Sequence, residues 1–277
     1  LKWLLGSVLV TMTGLLVYFA ADRQPAAPLA DNQWYLPDYL NEASGLAVID
    51  EDTVLAHSDE AGVIYRIALA AREVVELGAI GSPPIDEDLE GIALAGTDIY
   101  LVNSTGAVFL IENVDLDATG QLFEAVRLET GLEQICEIEG LAYGDGALLL
   151  PCKTSLDGQY QGQLVVFRFD IETGAVTTAL NLAAEALPGS GQPQPTAIDL
   201  TADAWWMIDR HLLLRVSAQD SSVNAYQLPP ERHRQPEGLA LLPHGGVVIV
   251  DDHRRGIGRI AFYERVEALA AVPAPTL

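Results

Sequence analysis

The chain has 277 residues, 49% of them hydrophobic and only 19% charged, enough to bury a substantial core in one domain or two small ones. Its 39 acidic side chains against 15 basic ones give a formal charge of -24, which repels phosphate backbones and argues against a nucleic-acid partner. The same acidity suits a cation-binding site or simply a solvated acidic surface.

The first 21 residues carry one charge, Lys2, and are otherwise apolar or uncharged. They predict a single transmembrane helix over 1–21, an uncleaved anchor, because Tyr18 and Phe19 occupy the positions where signal-peptide cleavage wants small residues. With Lys2 on the cytoplasmic side, the rest of the chain is placed beyond the bacterial inner membrane, in the periplasm. Residues 22–31, with Pro25 and Pro28, read as a tether, and residues 32–277 as one folded domain.

That domain repeats itself. Ser44-Gly-Leu-Ala, Glu90-Gly-Ile-Ala, Glu139-Gly-Leu-Ala, Thr196-Ala-Ile-Asp and Glu237-Gly-Leu-Ala recur at intervals of about 40 to 60 residues, the span of one propeller blade. After each start come short apolar segments separated by turns, as at Gly91–Leu94, Ile99–Asn103, Val108–Glu112 and Leu122–Leu128. Beyond the anchor, helical periodicity is missing except for a brief turn near Leu182–Leu187. An all-β, five-bladed propeller follows, with six blades as the alternative. Counting back from Ser44 as from the other starts falls on Trp34-Tyr35-Leu36, predicted to supply the outermost strand of the last blade and so close the ring.

The repeat starts carry the chemistry. Ser44, Glu90, Glu139, Thr196 and Glu237, together with Glu42, Asp88, Glu137, Gln194 and Gln235 two residues earlier, all bear side-chain oxygens. Apolar residues between them give strand alternation, which predicts two stacked oxygen rings at one mouth of the central channel. Three converging carboxylates repel unless something positive sits among them. A Ca2+ ion answers that need, since oxygen donors from separate blades suit its loose coordination. The competing reading is that Glu-Gly serves close backbone packing alone.

The ends of the second strands add His57, Asn103, Lys153, Asp209, Asp251 and Asp252, of which His57, and beyond them His253, are candidate general bases toward a metal-bound water. Asp199 stands where the other repeats have alanine and calls for a partner, Arg210 or Arg215. Cys136 and Cys152 flank a hairpin turning at Gly144-Asp145-Gly146 and are placed to form a disulfide in an oxidising compartment. Phosphate-binding loops, Gly-x-Ser-x-Gly elbows and Cys-x-x-Cys pairs are missing from the sequence.

The anchor and the starts Ser44-Gly-Leu, Asp88-Leu-Glu-Gly-Ile, Ile138-Glu-Gly-Leu-Ala, Pro195-Thr-Ala and Pro236-Glu-Gly-Leu-Ala resemble the SdiA-regulated family of bacterial envelope proteins. That resemblance spans about Trp34 to Tyr263 and implies a five-bladed propeller with calcium at a channel-mouth site on Glu90, Glu139 and Glu237, and no established reaction. The chain departs from the family after the second strands, where Asn103-Ser104 and Asp251-Asp252 replace its Ser-Glu or Lys-Glu pairs. Three functions remain open: a binding or sensing module for a protein or small molecule, a calcium-dependent hydrolase of phosphoesters, lactones or other esters, and a metal-free scaffold.

Overall fold

A computed structural model describes residues 32–189, 191–252 and 257–273. The predicted anchor, the tether and His253 lie outside the described residues. Among the described residues no helix is long and apolar enough to cross a membrane. Helix is confined there to four single 3-10 turns, one of them at Ala184–Ala186 within the segment expected to turn.

Five sheets, antiparallel except for one added strand of the first, form a five-bladed propeller, each with its innermost strand at a repeat start: Ala43–Val48, Leu89–Ala95, the split pair Cys136–Ile138 and Ala142–Gly144, Pro195–Thr201, and Pro236–Leu241. Each blade is a twisted sheet with two apolar faces, so its stability depends on its neighbours. Five apolar clusters accordingly fill the five seams between adjacent blades. In the seam of blades 1 and 2, for example, Leu55, Ile64 and Leu77 meet Ile92, Ile99 and Phe109.

The ring closes as the spacing predicted. Gln33–Tyr35 pairs antiparallel with Arg259–Tyr263, the third strand of blade 5, so one sheet joins both ends of the domain. The Leu36 amide extends the clasp by donating to Gly258 O at 2.8 Å. Leu36 and Leu40 are buried in the seam of blades 5 and 1, which rewards the closure with apolar area.

Two outer strands depart from the sequence expectation. The segment Leu122–Leu128 is split: Val126–Leu128 completes blade 2, whereas Gln121–Phe123 runs parallel to Glu73–Ile80 of blade 1. Gly78 permits that approach, since a Cβ there would lie 2.4 Å from Gln121 O, and Phe123 pays into the seam by burying its ring. Ala270–Val272 likewise adds a fifth strand to blade 4 by pairing with Val223–Gln227.

Candidate functional site

The residue after each start, glycine in four blades and Ala197 in blade 4, packs against the axis. A Cβ on Gly91 would come 2.6 Å from Gly140 C, one on Gly140 3.1 Å from Ala197 Cα, and one on Gly238 3.2 Å from Gly45 C. Inner strands of neighbouring blades thus approach backbone to backbone, as when the Gly140 amide donates to Glu90 O at 2.6 Å. Between them the channel is narrow, with room for about one water-sized sphere, and Ser44, Glu237 and the start glycines are among its walls.

Immediately before those glycines the ladders are irregular. In blades 1, 2, 4 and 5 the pairing with the second strand shifts across Ser44, Glu90, Thr196 and Glu237, so each is the extra residue of a β-bulge. Blade 3 shares this irregularity, since between the pairs Ile138–Cys152 and Ala142–Leu149 three inner residues face two, and it adds another: Glu137 pairs with Thr154 and Ile138 with Cys152, leaving Lys153 on the second strand as a further extra residue. The bulge brings its ammonium to Glu139 Oε1, forming a tight ion pair.

Glu90, Glu139 and Glu237 feel one another electrostatically, as three groups around one axis must. Burial, then Glu139, Asp88 and Glu237, pushes Glu90 up to about 9 against the opposing pull of Lys153. Burial raises Glu139 to about 7 even though Lys153 works in the other direction. Burial also takes Glu237 to about 8, reinforced by Asp252 and opposed by the Gln235 amide, which donates to Glu237 Oε1 at 2.8 Å. For Lys153, burial alone would lower the pKa; Glu139, Glu90 and Glu137 outweigh it and hold the amine above its ordinary value. Glu139 is only 4% exposed, and its Oε2 is buried without a hydrogen-bond partner.

The outer set is more open and less unified. Glu42 is raised to about 7 by burial and by Asp59, Glu60 and Asp252. Asp88 is exposed and Glu137 half-buried, both within electrostatic reach of Glu139. Gln235 bridges Glu237 and Asp252, donating to Asp252 Oδ2 at 3.0 Å. Gln194 is turned to Arg210 at 3.3 Å, and the Thr196 hydroxyl donates to Pro236 O at 2.7 Å, across the seam of blades 4 and 5. Ser44 is buried at the same level in blade 1. As placed, no three carboxylate, imidazole or thiol groups among the described residues close on a single metal position.

The second-strand ends brace the mouth. Asn103 donates to Glu87 Oε2 at 2.9 Å and accepts from the Ala107 amide at 2.9 Å. Asp209 accepts from the Gln194 amide at 3.0 Å, and Asp251 from the Gln235 amide at 3.3 Å. His57 is fully enclosed against Gly45, with Nδ1 donating to Ser58 O at 3.0 Å, and burial takes it down to about 4. It is neutral at physiological pH and shielded from anything in the channel.

Asp199 corrects the sequence reading. Its partners are the backbone amides of Leu200 and Leu241, both at 2.7 Å, while Arg210 bonds Gln192 O and Arg215 pairs with Asp203. A carboxylate in the seam of blades 4 and 5 satisfies two amides that no side chain of the other repeats has to serve. Cys136 and Cys152 are joined as a disulfide, with Cα atoms 5.6 Å apart. Sequence reasoning missed a second cluster: His233, fully buried, links Asp251 Oδ2 at 2.8 Å to the Tyr263 hydroxyl at 2.6 Å and fastens the segment before Gln235 onto blade 5.

Fold and site together define a five-bladed β-propeller with an acidic channel mouth that holds one internal ammonium. No family model matches the chain, and no curated protein matches it. Among solved structures it is similar to the PQQ-bound aldose sugar dehydrogenase of Streptomyces coelicolor, at 14% identity and TM-score 0.53 over 86% of this chain and 100% of that one. A structural-genomics protein of unknown function from Bacteroides thetaiotaomicron aligns at 15% identity and TM-score 0.51, over 80% of this chain and 56% of its own. A chain of a nidogen/laminin complex aligns at 12% identity and TM-score 0.50, over 86% of each. These likenesses establish the propeller fold.

Proposed function

We propose that this protein is a binding or sensing module of the bacterial envelope, anchored in the inner membrane by residues 1–21, whose channel mouth holds a calcium ion and presents it to a protein or small-molecule ligand in the periplasm. The observation that carries this reading is the charge balance at the axis. Fully ionised, Glu90, Glu139 and Glu237 with Lys153 leave two negative charges, matched in number by a divalent cation, and Glu139 Oε2 is buried with nothing to bond. The donor set fits a hard cation: three carboxylates would hold it, with the Ser44 and Thr196 hydroxyls and water completing the oxygen shell. Side-chain rotation is needed for those groups to converge on one ion. The apolar run ahead of Asp22 supports the anchor, and the repeat starts support membership in the SdiA-regulated family.

No observation favours hydrolysis comparably, because the imidazole of His57 is 0% exposed and has no route to a water in the channel. Calcium chloride titrated into the full chain by calorimetry tests the reading, with the Glu90→Gln/Glu139→Gln double variant as control. Binding by the parent that the variant loses is the expected result; equal heats from both would refute a site at these carboxylates.

A further inference from the structure

We infer that Lys153 is a tethered cation that occupies the channel-mouth site itself, and that an arriving divalent cation must displace its ammonium from Glu139. This inference rests on the cation-site reading above and adds how that site sets its own affinity. Three features of the chain point to it.

First, the ammonium is brought to the mouth by an exception in the architecture. Four blades put the bulge on the inner strand, at Ser44, Glu90, Thr196 and Glu237. Blade 3 has the inner-strand bulge as well and adds a second one, on the second strand at Lys153. Near the second-strand ends of the other blades stand His57, Asn103, Asp209 and Asp251, each fixed by hydrogen bonds to its own surroundings, whereas Lys153 lies one residue beyond Cys152, which pairs with Ile138 as Asn103 pairs with Leu89. Only Lys153 is directed to a glutamate of a repeat start.

Second, the residue type suits exchange. The chain contains just two lysines, Lys2 and Lys153, its other basic residues being arginine. A guanidinium would clamp a carboxylate through two parallel bonds, whereas an ammonium on a flexible four-carbon stem makes a point contact and swings away without leaving a fork of donors unsatisfied. The Lys153 side chain keeps 28% of its surface exposed, while that of Glu139 keeps 6%, so the cation has a way out and the carboxylate does not.

Third, the ammonium satisfies the site incompletely. It bonds Glu139 Oε1 and leaves Oε2 of the same carboxylate buried without a partner. A monovalent point charge touching one oxygen is a weaker occupant than a divalent ion that gathers oxygens from three blades.

The test uses the full chain and calcium chloride alone. Lys153→Met removes the competitor, and is expected to bind calcium at least tenfold more tightly than the parent by calorimetry; Lys153→Arg retains the charge and is expected to bind no tighter than the parent. In parallel, acylation of the parent with an amine-reactive reagent, read by peptide mass spectrometry with Lys2 as internal reference, is expected to modify Lys153 faster when calcium is present. Tighter binding by Lys153→Met, including binding by that variant alone, supports displacement. Unchanged or weaker binding by Lys153→Met beside a parent that binds would overturn it, leaving the cation site intact with Lys153 as a positioning residue for Glu139. Failure of both proteins to bind at millimolar calcium overturns the cation-site reading, and this inference with it. Should Lys153→Met fail to fold, the acylation experiment decides: a rate for Lys153 that calcium leaves unchanged refutes displacement.

Discussion

Replacing Glu90 by glutamine should stabilise the cation-free protein, and by an amount that grows with pH. Burial and the neighbouring Glu139 hold Glu90 at about 9, against 4.5 for an ordinary glutamate. A carboxyl whose pKa is raised by folding is bound to its proton more tightly in the native state than in the unfolded chain. Its contribution to stability is therefore fully present below about 4.5 and is lost as pH climbs through about 9. At pH 7 the native state must retain a proton that the unfolded chain has released, a cost of about 3 kcal/mol, while at pH 5 the cost is under about 1 kcal/mol. Glutamine is isosteric, keeps a hydrogen-bonding head and carries no such cost. Urea unfolding of parent and Glu90→Gln at pH 5 and pH 7, both in excess chelator, should show the variant gaining with pH by about 2 kcal/mol relative to the parent. With Glu90 held at about 9 it is protonated in the native state at both pH values, so a neutral glutamine leaves the field at Glu139 and Glu237 nearly unchanged and their slopes nearly cancel between the two curves. A difference that stays constant between the two pH values would refute the argument. A variant destabilised at both would refute it equally, since Glu90 would then be holding the ring together.

Two further outcomes concern the seams. Asp199→Ala leaves the Leu200 and Leu241 amides without the acceptor that joins blade 4 to blade 5, and should cost about 2–3 kcal/mol in urea unfolding, whereas Arg210→Ala and Arg215→Ala should leave that junction unchanged. Removing the disulfide, as Cys136→Ala/Cys152→Ala, frees a loop with a sequence separation of 16 and should cost about 3 kcal/mol in non-reducing denaturation; a variant as stable as the parent would show that pairing within blade 3 already constrains the unfolded chain there.

The blades and the clasp were legible because each depends on short-range signals. Gly-Leu-Ala and its variants mark where a strand enters the axis, and the apolar segments after it have strand length. The same phase, carried back from Ser44, reached Trp34 and Tyr35 before any pairing partner was known. What remained hidden depends on contacts between segments far apart in the chain. Gln121–Phe123 lies in sequence among the strands of blade 2, and only the pocket made by Gly78 draws it to blade 1. Asp199 finds its second amide 42 residues away, on the next blade, where no charge pattern pointed. Lys153 stood among the second-strand ends, yet nothing local indicated that blade 3 would add a bulge on its second strand to the one on its inner strand. A register shift belongs to two strands at once, so a single strand does not announce it.

The sequence also posed two readings of Glu-Gly as rivals, axial packing and cation binding, and the structure assigns the axial packing to the glycine, leaving the carboxylate without a packing role. Glycine, or alanine in blade 4, meets the backbone of the next blade, and that contact closes the ring. The residue before it is the bulge, and blades 1 and 4 form the same bulge with Ser44 and Thr196. Closure therefore does not require a carboxylate at that position. Placing three there sets like charges around a narrow axis, raises each to between about 7 and 9, and leaves one carboxylate oxygen buried without a partner. Every one of those effects disfavours the ionised fold relative to a ring of serine and threonine. A cluster that the architecture does not need, and that works against the fold, is what the proposed cation site would require. The ammonium of Lys153 offsets one charge of the three, and the remaining two are the physical reason to look for a divalent cation at this mouth before any other ligand.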